Sequence, residues 1–454
     1  MSKRFFGTDG VRGVANTEPI TAETTLRLGK ALAKIILDTS GEDRKRILIG
    51  KDTRISGSML EMSLAAGVCS MGFDVLLAGD IPTPAVAFLT TDLMCGAGVV
   101  ISASHNPFED NGIKFFDARG LKFDDQRELD IESLIISENF DSDYSIDHQL
   151  GRAYRLEDAA GRYTVFLKTS IPKGLNLKGL KIVLDCANGA GHKVAPQVFQ
   201  ELGAEVTPLF ISPDGRNINL NCGSLHPEAM TREILKSGAD FGVALDGDGD
   251  RAIFADENGN TVDGDQIMGM VSLDLFERGL LKHGTVVATV MSNLGLEVAL
   301  KQKGIRLVRT AVGDRYVVEA MLKDGYNFGG EQSGHLVFFD YSTTGDGILS
   351  ALQVASIIKR TSKSLSSLTS WIKKYPQILH NIPVKDRVNF DDVPAVRKVI
   401  EDCEQRLGNS GRILIRYSGT QSLCRVMVEG ENQELVQKVV EEVSDALVGN
   451  ICHD

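Results

Sequence analysis

Short apolar stretches alternate with longer segments of helical periodicity along most of this chain. The apolar stretches predict buried strands at 46–50, 73–78, 97–101, 180–185, 204–210, 240–245, 285–290 and 305–308. The segments between them predict helices at 21–37, 56–71, 189–202, 227–237, 263–278, 292–303 and 313–323. Strands that alternate with helices are typical of βαβ units around a parallel or mixed sheet, so we predict an α/β fold.

A weak internal repeat runs through the first three quarters of the chain. Three predicted helices end at a glycine that a predicted strand follows at once, at Gly72, Gly203 and Gly304. Glycine just past a helix end supplies the left-handed backbone conformation that closes the helix. Each copy also follows a strand, loop and helix of similar size, which favours three similar α/β domains over coincidence.

The last part of the chain has a different pattern. The Ser/Thr-rich stretch 362–370 is typical of a linker. Short strands near 412–416 and 424–428 and an amphipathic helix over 431–447 then predict a small α+β domain. The acidic stretch 140–151 and the turn-rich 256–260 mark two further borders. We therefore predict four domains, over 1–155, 156–256, 257–368 and 369–454.

Composition restricts the classes of function. The 454 residues include 61 acidic and 49 basic side chains, a net charge of −12, which argues against a nucleic-acid binder with a basic face. No stretch reaches the ~18 apolar residues of a membrane helix, and the first residues lack the apolar core of a signal peptide. The seven cysteines are scattered without a C-x-x-C pair, which indicates a reducing, cytoplasmic setting.

A serine-rich loop follows one of the predicted strands. The run GAGVVI ends in SASHNP, which exposes hydroxyl groups at a sheet edge, where open α/β folds bind ligands. Ser102 or Ser104 could therefore be a nucleophile. His105 is the neighbour of Ser104, and in an extended loop the two side chains diverge. That arrangement disfavours a serine-hydrolase pair, which needs nucleophile and base in contact.

Three aspartates alternate with glycines in DGDGDR. In extended backbone the side chains of Asp246, Asp248 and Asp250 point the same way and raise one another's pKa. A divalent cation removes this repulsion, and oxygen ligands suit Mg²⁺. A calcium EF-hand loop would explain Glu257 at its twelfth position. It requires glycine at the sixth position, however, and Arg251 stands there.

Two further loops carry polar groups between apolar runs. GGEQSGH (329–335) offers Glu331, Gln332 and Ser333 for sugar hydroxyls or an amine. RYSGTQS (416–422) combines a guanidinium, hydroxyls and open backbone N–H groups, which suit a phosphate. Its candidate residues are Arg416, Ser418, Gly419 and Thr420, with Arg425 close by. Basic groups elsewhere that could join a site are Arg12, Arg54, Lys114 and Arg315.

The four loops, in this order, resemble those of the α-D-phosphohexomutase superfamily from residue 3 to about 447. FGTDGVRG at 6–13, NCGSLHPE at 221–228, VGDRYV at 312–317 and Gln332 make the chain similar to bacterial members that act on glucosamine phosphate. One loop departs from the family pattern R-P-S-G-T-E-P. Here Tyr417, Gln421 and Ser422 replace Pro, Glu and Pro, a change that bears on the stiffness of the loop.

The resemblance implies a fold and a site. The fold has four domains around a central cleft: three similar α/β domains with mixed sheets and flanking helices, and a smaller C-terminal α+β domain. It implies a phosphoryl group on Ser104, one Mg²⁺ on Asp246, Asp248, Asp250 and the phosphoserine, a contribution from Arg12, and Lys114 or His335 as general base. It also implies that Glu331 and Ser333 bind the sugar, and that Arg416, Ser418, Gly419, Thr420 and Arg425 bind its phosphate.

The implied reaction interconverts glucosamine 6-phosphate and glucosamine 1-phosphate. It runs through a glucosamine 1,6-bisphosphate that turns over in the cleft, with a hexose 1,6-bisphosphate as activator, and it would supply UDP-N-acetylglucosamine for cell-wall synthesis. We expect the last domain to close as a lid that excludes water. Members of the superfamily are often dimers, so the resemblance also allows a homodimer. The alternatives are a phosphomannomutase or phosphoglucomutase of the same fold, a phosphatase, and a non-catalytic metal or sugar-phosphate binding protein.

Overall fold

Four β-sheets organise the chain in the computed structural model, which describes residues 5–7, 9–40, 44–137, 150–384, 388–417 and 423–451. The strands are β1 (Val11–Val14), β2 (Arg46–Lys51), β3 (Asp74–Asp80), β4 (Ala97–Ile101), β5 (Asp110–Asp117), β6 (Ala153–Arg155), β7 (Lys181–Asp185), β8 (Glu205–Leu209), β9 (Phe241–Leu245), β10 (Ala252–Ala255), β11 (Thr261–Val262), β12 (Thr285–Thr289), β13 (Arg306–Thr310), β14 (Phe328–Gly330), β15 (Leu336–Phe338), β16 (Gln377–Pro383), β17 (Gly411–Tyr417) and β18 (Leu423–Gly430).

Helices separate most of these strands. They are α1 (Ala22–Ser40), α2 (Gly57–Ser70), α3 (Thr83–Asp92), α4 (Asp125–Ile136), α5 (Ala159–Thr169), α6 (Val194–Glu201), α7 (Glu228–Ser237), α8 (Gly264–Glu277), α9 (Leu294–Gln302), α10 (Asp314–Asp324), α11 (Gly347–Thr361), α12 (Leu365–Thr369), α13 (Pro394–Leu407) and α14 (Gln433–Ile451). Among the described residues, no helix has both the length and the apolar content to cross a membrane.

The chain divides into two compact units. One is Met1–Val290 with Leu307–Ser370, and the other is Met291–Arg306 with Trp371–Asp454. The first unit contains three of the four sheets, and the second contains the fourth.

The three sheets of the first unit share one strand order. It reads β5-β4-β2-β3 in the first, β10-β9-β7-β8 in the second and β15-β14-β12-β13 in the third. In each, the first two strands are antiparallel and the next pair is parallel. This common order confirms the predicted triplication, and Gly72, Gly203 and Gly304 all have the expected positive φ, of 82°, 92° and 75°.

The repeat places three of the polar motifs in equivalent positions. The antiparallel pair of each sheet is joined by a loop: 102–109 between β4 and β5, 246–251 between β9 and β10, and 331–335 between β14 and β15. The predicted serine loop, metal loop and sugar loop are therefore the same connection in three copies of one α/β unit.

Strands that are apolar throughout lie in the middle of these sheets. Every residue of β4 and β9 is buried, as a strand covered on both faces requires. Helices α1 and α2 pack at backbone contact, because a Cβ on Gly29 would lie 2.4 Å from the Leu64 oxygen and one on Gly67 would lie 2.1 Å from the Leu26 oxygen. The first core thus has little tolerance for larger side chains at these two glycines.

The stretch predicted as a linker contains a short helix. Residues 365–369 form α12, whose first turn is capped by the Ser364 hydroxyl, which accepts a hydrogen bond from the Ser367 N–H. Glu257, considered above for a calcium loop, accepts hydrogen bonds from the backbone and hydroxyl of Ser366. The stretch also ends where the first compact unit gives way to the second, at Ser370, which agrees with a connecting segment.

The sheet of the second unit has the antiparallel order β16-β18-β17. Helix α14 buries four valines at helical spacing against it, at Val436, Val439, Val440 and Val443. This agrees with the predicted small α+β domain. The domain borders stay a prediction: most of the acidic stretch 140–151 lies outside the described residues, and β11 continues the second sheet past residue 256.

Candidate active site

The serine loop places Ser104 in an unusual backbone conformation. Its φ is +54°, the left-handed region that non-glycine residues rarely adopt. The Ser104 N–H donates to the Ser102 hydroxyl at 2.9 Å, and that hydroxyl donates to Asp52 at 2.5 Å. The loop is therefore a buried turn, and the extended loop expected from the sequence is wrong.

The turn changes the surroundings of the Ser104 hydroxyl. Its oxygen lies 2.6 Å from Asp246 Oδ2, to which it donates, and 3.3 Å from Nδ1 of His105. Burial and the cations Arg251 and Arg12 lower the pKa of His105 to about 4, so the ring is neutral and its Nδ1 accepts from Arg251 at 3.0 Å. His105 is thus near Ser104, against expectation, but its acceptor nitrogen is already in use.

The metal loop brings three buried carboxylates together. One oxygen from each of Asp246, Asp248 and Asp250 lies within 4.8 Å of the others. Asp248 Oδ1 and Asp250 Oδ1 are buried, and neither has a hydrogen-bond partner among the described residues. A divalent cation would satisfy both oxygens, so the residues fit a Mg²⁺ ion.

The other oxygens of these carboxylates are held in place. Asp248 Oδ2 accepts from the Thr83 hydroxyl at 2.8 Å and from Lys114 at 2.9 Å. Burial and the charges of Asp248 and Asp250 raise the pKa of Asp246 well above its ordinary value. Burial works in the same direction on Asp250, but Lys114 and His335 hold its pKa well below that value. Hydrogen bonds and neighbouring cations therefore orient the carboxylates of the metal loop.

Lys114, on β5, lies among these carboxylates. Its ammonium is 2.9 Å from Asp248, 3.1 Å from Asp9 and 3.6 Å from Asp250. Burial opposes its charge, but the three carboxylates outweigh burial and raise the pKa of Lys114. Arg12 joins the same group through its ion pair with Asp9.

His335 is the second basic group at the metal loop. Nδ1 lies 3.7 Å from Asp250 and Nε2 lies 3.2 Å from Asp314. Burial lowers its basicity, but Asp314 and Asp250 raise the pKa of His335 to about 10. Nε2 is also 3.0 Å from the Gly345 N–H, although one nitrogen cannot both accept there and donate to Asp314. A cationic ring donates to the carboxylate, so the contact with Asp314 is the one that holds.

The sugar loop contacts β10 directly after the metal loop, because the Ala252 N–H donates to the Gly334 oxygen at 3.1 Å. Glu331 accepts from the Gly313 N–H and from the exposed Ser333 hydroxyl, both at 3.2 Å. The Gln332 side chain points to Asp263 at 3.4 Å. Glu331 and Ser333 are therefore hydrogen-bonded to each other in the loop that follows β14.

The phosphate loop lies in the second unit. Arg416 and Arg425 stand opposite each other on β17 and β18, and burial together with Arg425 lowers the pKa of Arg416. Two guanidinium groups held against their mutual repulsion are suited to an anion. The Tyr417 hydroxyl donates to the Val388 oxygen at 2.7 Å. The predicted Ser418, Gly419, Thr420, Gln421 and Ser422 lie outside the described residues.

Sequence reasoning missed some neighbours and misjudged others. Lys122 bridges Asp9 and Asp314, each at 2.6 Å, and nothing in its sequence context signalled this. In the VGDR motif the residue that reaches the site is Asp314, which contacts His335. The expected basic group Arg315 pairs with Asp125 at 2.6 Å and with Glu319 at 3.1 Å instead.

Family models match the chain in four consecutive segments. Their descriptions are phosphoglucomutase/phosphomannomutase alpha/beta/alpha domain I over residues 3–142, domain II over 162–259, domain III over 263–375 and the C-terminal domain over 379–446. The chain belongs to the phosphoglucomutase/phosphomannomutase family.

Individual relatives within the phosphoglucomutase/phosphomannomutase family are similar over nearly the whole chain. Phosphoglucosamine mutase of Geobacter sp. (strain M21) is 57% identical over 95% of this chain and 94% of its own length. Phosphoglucosamine mutase of Syntrophotalea carbinolica is 54% identical over 98% of both chains. A family protein from Burkholderia thailandensis, 22% identical, has a crystal structure that matches 99% of both chains with a TM-score of 0.83, which supports the fold.

Proposed function

We propose that this chain interconverts glucosamine 6-phosphate and glucosamine 1-phosphate by way of a phosphoserine at Ser104. The observation that carries the proposal is the near full-length identity of 54–57% to proteins named phosphoglucosamine mutase. The geometry supports it, because the hydroxyl of Ser104 lies against a buried carboxylate triad with two unsatisfied oxygens.

Ser104 gives and receives the phosphoryl group in this proposal. The 1-hydroxyl oxygen of glucosamine 6-phosphate bonds to phosphorus while the bond from phosphorus to Ser104 Oγ breaks, and the hydroxyl proton passes to a base. The resulting bisphosphate reverses its orientation. Ser104 Oγ, which took up a proton when it left phosphorus in the first transfer, then bonds to the phosphorus at the 6-position and gives that proton to a base. The bond from this phosphorus to the 6-oxygen breaks and the 6-oxygen takes up a proton, which leaves glucosamine 1-phosphate and phosphorylated Ser104.

Electrostatics is the main requirement of this chemistry. Asp246, Asp248 and Asp250 would hold Mg²⁺, which neutralises charge on the transferring phosphoryl group when bound. Glu331 and Ser333 would bind the sugar hydroxyls. Arg416, Ser418, Gly419, Thr420 and Arg425 would bind the phosphate that is not reacting.

Two residues are candidates for the general base. The carboxylates around Lys114 and His335 raise the pKa of both, so each carries a proton at neutral pH and is ready to act as an acid. Either must lose that proton before it can accept one from the sugar. Arg12 is anchored by Asp9 beside them, where it would face the transferring phosphoryl group.

A phosphorus NMR time course tests the proposal. The protein is mixed with Mg²⁺, glucosamine 6-phosphate and a trace of hexose 1,6-bisphosphate, the activator that would phosphorylate Ser104. We expect a growing 1-phosphate signal, faster than with glucose or mannose phosphate. Faster conversion of those sugars would assign a phosphoglucomutase or phosphomannomutase activity instead, and steady release of inorganic phosphate would assign a phosphatase.

A cytoplasmic location is part of the proposal. It is supported by the six described cysteines, Cys69, Cys95, Cys186, Cys222, Cys403 and Cys424, all of which are free thiols. A homodimer stays a prediction, to be tested by the mass of the protein in solution.

A further inference from the structure

Arg54 is a fully buried arginine whose side chain is used entirely within the first unit. It follows β2, and its Nε donates to Asp52 Oδ2 at 2.9 Å. Its two terminal nitrogens donate to three backbone oxygens of the serine loop and to one at the start of β5. These acceptors are the carbonyl oxygens of Ser104 (3.0 Å), Asn106 (2.8 Å), Pro107 and Asp110 (3.0 Å).

A second donor reaches the same loop from a different α/β repeat. Asn219, between β8 and α7, donates from Nδ2 to the oxygens of Ser104 at 2.9 Å and Asn106 at 3.0 Å. Its own N–H donates to the Ala187 oxygen at 2.9 Å. The position of the amide is therefore set by the second sheet, which also carries the metal loop.

These donors explain how the loop keeps a strained shape. Carbonyl oxygens that converge on one point repel one another unless a donor lies between them, and a guanidinium presents five N–H groups in a fixed plane. The left-handed φ of Ser104 is unfavourable for a residue with a Cβ, so it persists only where the surroundings enforce it.

The strained shape brings the serine loop and the metal loop into contact. A Cβ on Gly247 would lie 2.5 Å from the Ser104 oxygen, so the two backbones meet there directly. With the Ser104 oxygen fixed on one side by Arg54 and Asn219, its hydroxyl is directed to Asp246 on the other.

We propose that Arg54 is a positioning residue for phosphoryl transfer. With Asn219, it holds the carbonyl oxygens of the serine loop and so keeps the oxygen of Ser104 aligned with the metal-binding carboxylates. It acts through the backbone and contacts neither the sugar nor the phosphoryl group. This inference rests on the proposed function, because it assigns Arg54 a part in that reaction.

The test compares two variants with a matched control. Arg54→Lys keeps the charge but loses the planar fork, and Asn219→Ala removes the second donor. Thr53→Val is the control, because the buried Thr53 hydroxyl donates to the Asn188 oxygen at 2.6 Å and not to the serine loop. Rates are measured on preparations with equal phosphoserine content, and folding is checked by thermal unfolding.

We expect Arg54→Lys to lower kcat about 10- to 100-fold, because a displacement on the order of 1 Å misaligns the reacting oxygen. KM for the sugar phosphate should stay within about twofold, since no sugar-binding group changes. Asn219→Ala should show a smaller loss of the same kind, and Thr53→Val should keep its kcat. A raised KM with unchanged kcat, or full activity in both folded variants, would overturn the proposal.

Two further measurements cover the cases in which Arg54→Lys does not fold or the wild-type chain is inactive. If Arg54→Lys does not fold, Asn219→Ala alone decides, by whether its kcat falls with KM unchanged. If the wild-type chain isomerises no sugar phosphate, the proposed function fails on its own. The clamp, meaning the hydrogen bonds from Arg54 and Asn219 to the serine loop, is then judged by hydrogen exchange over residues 102–112. Faster exchange in Arg54→Lys than in Thr53→Val supports the clamp, and equal exchange removes it.

Discussion

Ser104 owes its position to residues that are distant from it in sequence. Its hydroxyl meets Asp246, its backbone is held by Arg54 and Asn219, and its N–H meets Ser102. None of these contacts follows from the SASHNP motif by itself. The motif indicates which oxygen could react, and the fold supplies the surroundings that would make it reactive.

Replacing the reacting oxygen should therefore remove activity while leaving the site intact. We expect Ser104→Ala to lower the isomerisation rate by at least about 10³-fold, because the carrier of the phosphoryl group is lost. Mass spectrometry should detect a phosphoryl group on the wild-type protein and none at position 104 of the variant. Substantial turnover by Ser104→Ala would show that Ser104 does not carry the phosphoryl group.

Thr83 would support one of the candidate metal ligands without contacting the ion itself. Its hydroxyl donates to Asp248 Oδ2 at 2.8 Å, which leaves Oδ1 directed to the candidate metal position. We expect Thr83→Val to weaken Mg²⁺ binding about 10-fold, since partners that orient metal ligands typically contribute that much. Isothermal titration calorimetry measures the affinity directly.

Thr90→Val is the matched control for this prediction. Thr90 lies on the same helix, is buried, and donates to the Val86 oxygen at 2.7 Å, away from the aspartates. Equal Mg²⁺ affinity in both variants would indicate that the Thr83 hydroxyl has no influence on the ion.

The repeated sheets of the first unit place the candidate functional loops at equivalent positions. The serine, metal and sugar loops each join the antiparallel pair of one repeated sheet, so one backbone plan serves three different tasks. In the second unit a regular element also places candidate residues, because the antiparallel pairing of β17 and β18 sets Arg416 opposite Arg425. A residue there binds substrate in our proposal but takes no part in the bond changes.

This division gives Arg416 a distinct kinetic signature. We expect Arg416→Ala to raise KM for the sugar phosphate about 10- to 100-fold with a smaller effect on kcat, because a charge-assisted contact to phosphate is lost. Arg412→Ala is the control on the same strand, where Arg412 pairs with Glu429. If Arg416→Ala lowered kcat as much as Ser104→Ala with KM unchanged, Arg416 would belong to the chemical step instead.

At the scale of the whole molecule, uninterrupted apolar runs were the most predictable feature. The run at 97–101 was predicted with the bounds that β4 has, whereas β5 was missed because it begins with Asp-Asn-Gly, a turn signal, and contains Lys114. Lys114 is buried only because distant carboxylates neutralise it. Likewise the aspartate triad was predictable because one loop carries it, while Thr83 and Lys122 reach the site from other elements.

Lys122 is a residue of this kind that joins the first and third repeats of the first unit. It follows β5 and contacts Asp9, which precedes β1, and Asp314, which begins α10 of the third repeat, each at 2.6 Å. The carboxylates are mostly buried, so without the ammonium each would keep a charge with less compensation.

Lys122→Met should therefore destabilise the protein by about 3 kcal/mol, the usual cost of removing one partner from a buried ion pair. Lys122→Arg, which keeps the charge, should lose less. Lys34→Met is the surface control, because Lys34 pairs with Asp38 in an exposed i, i+4 pair that contributes well under about 1 kcal/mol. Thermal unfolding of the three variants measures the difference. Equal midpoints for Lys122→Met and Lys34→Met would mean that Arg12, Lys114 and His335 compensate the charges of Asp9 and Asp314 without Lys122.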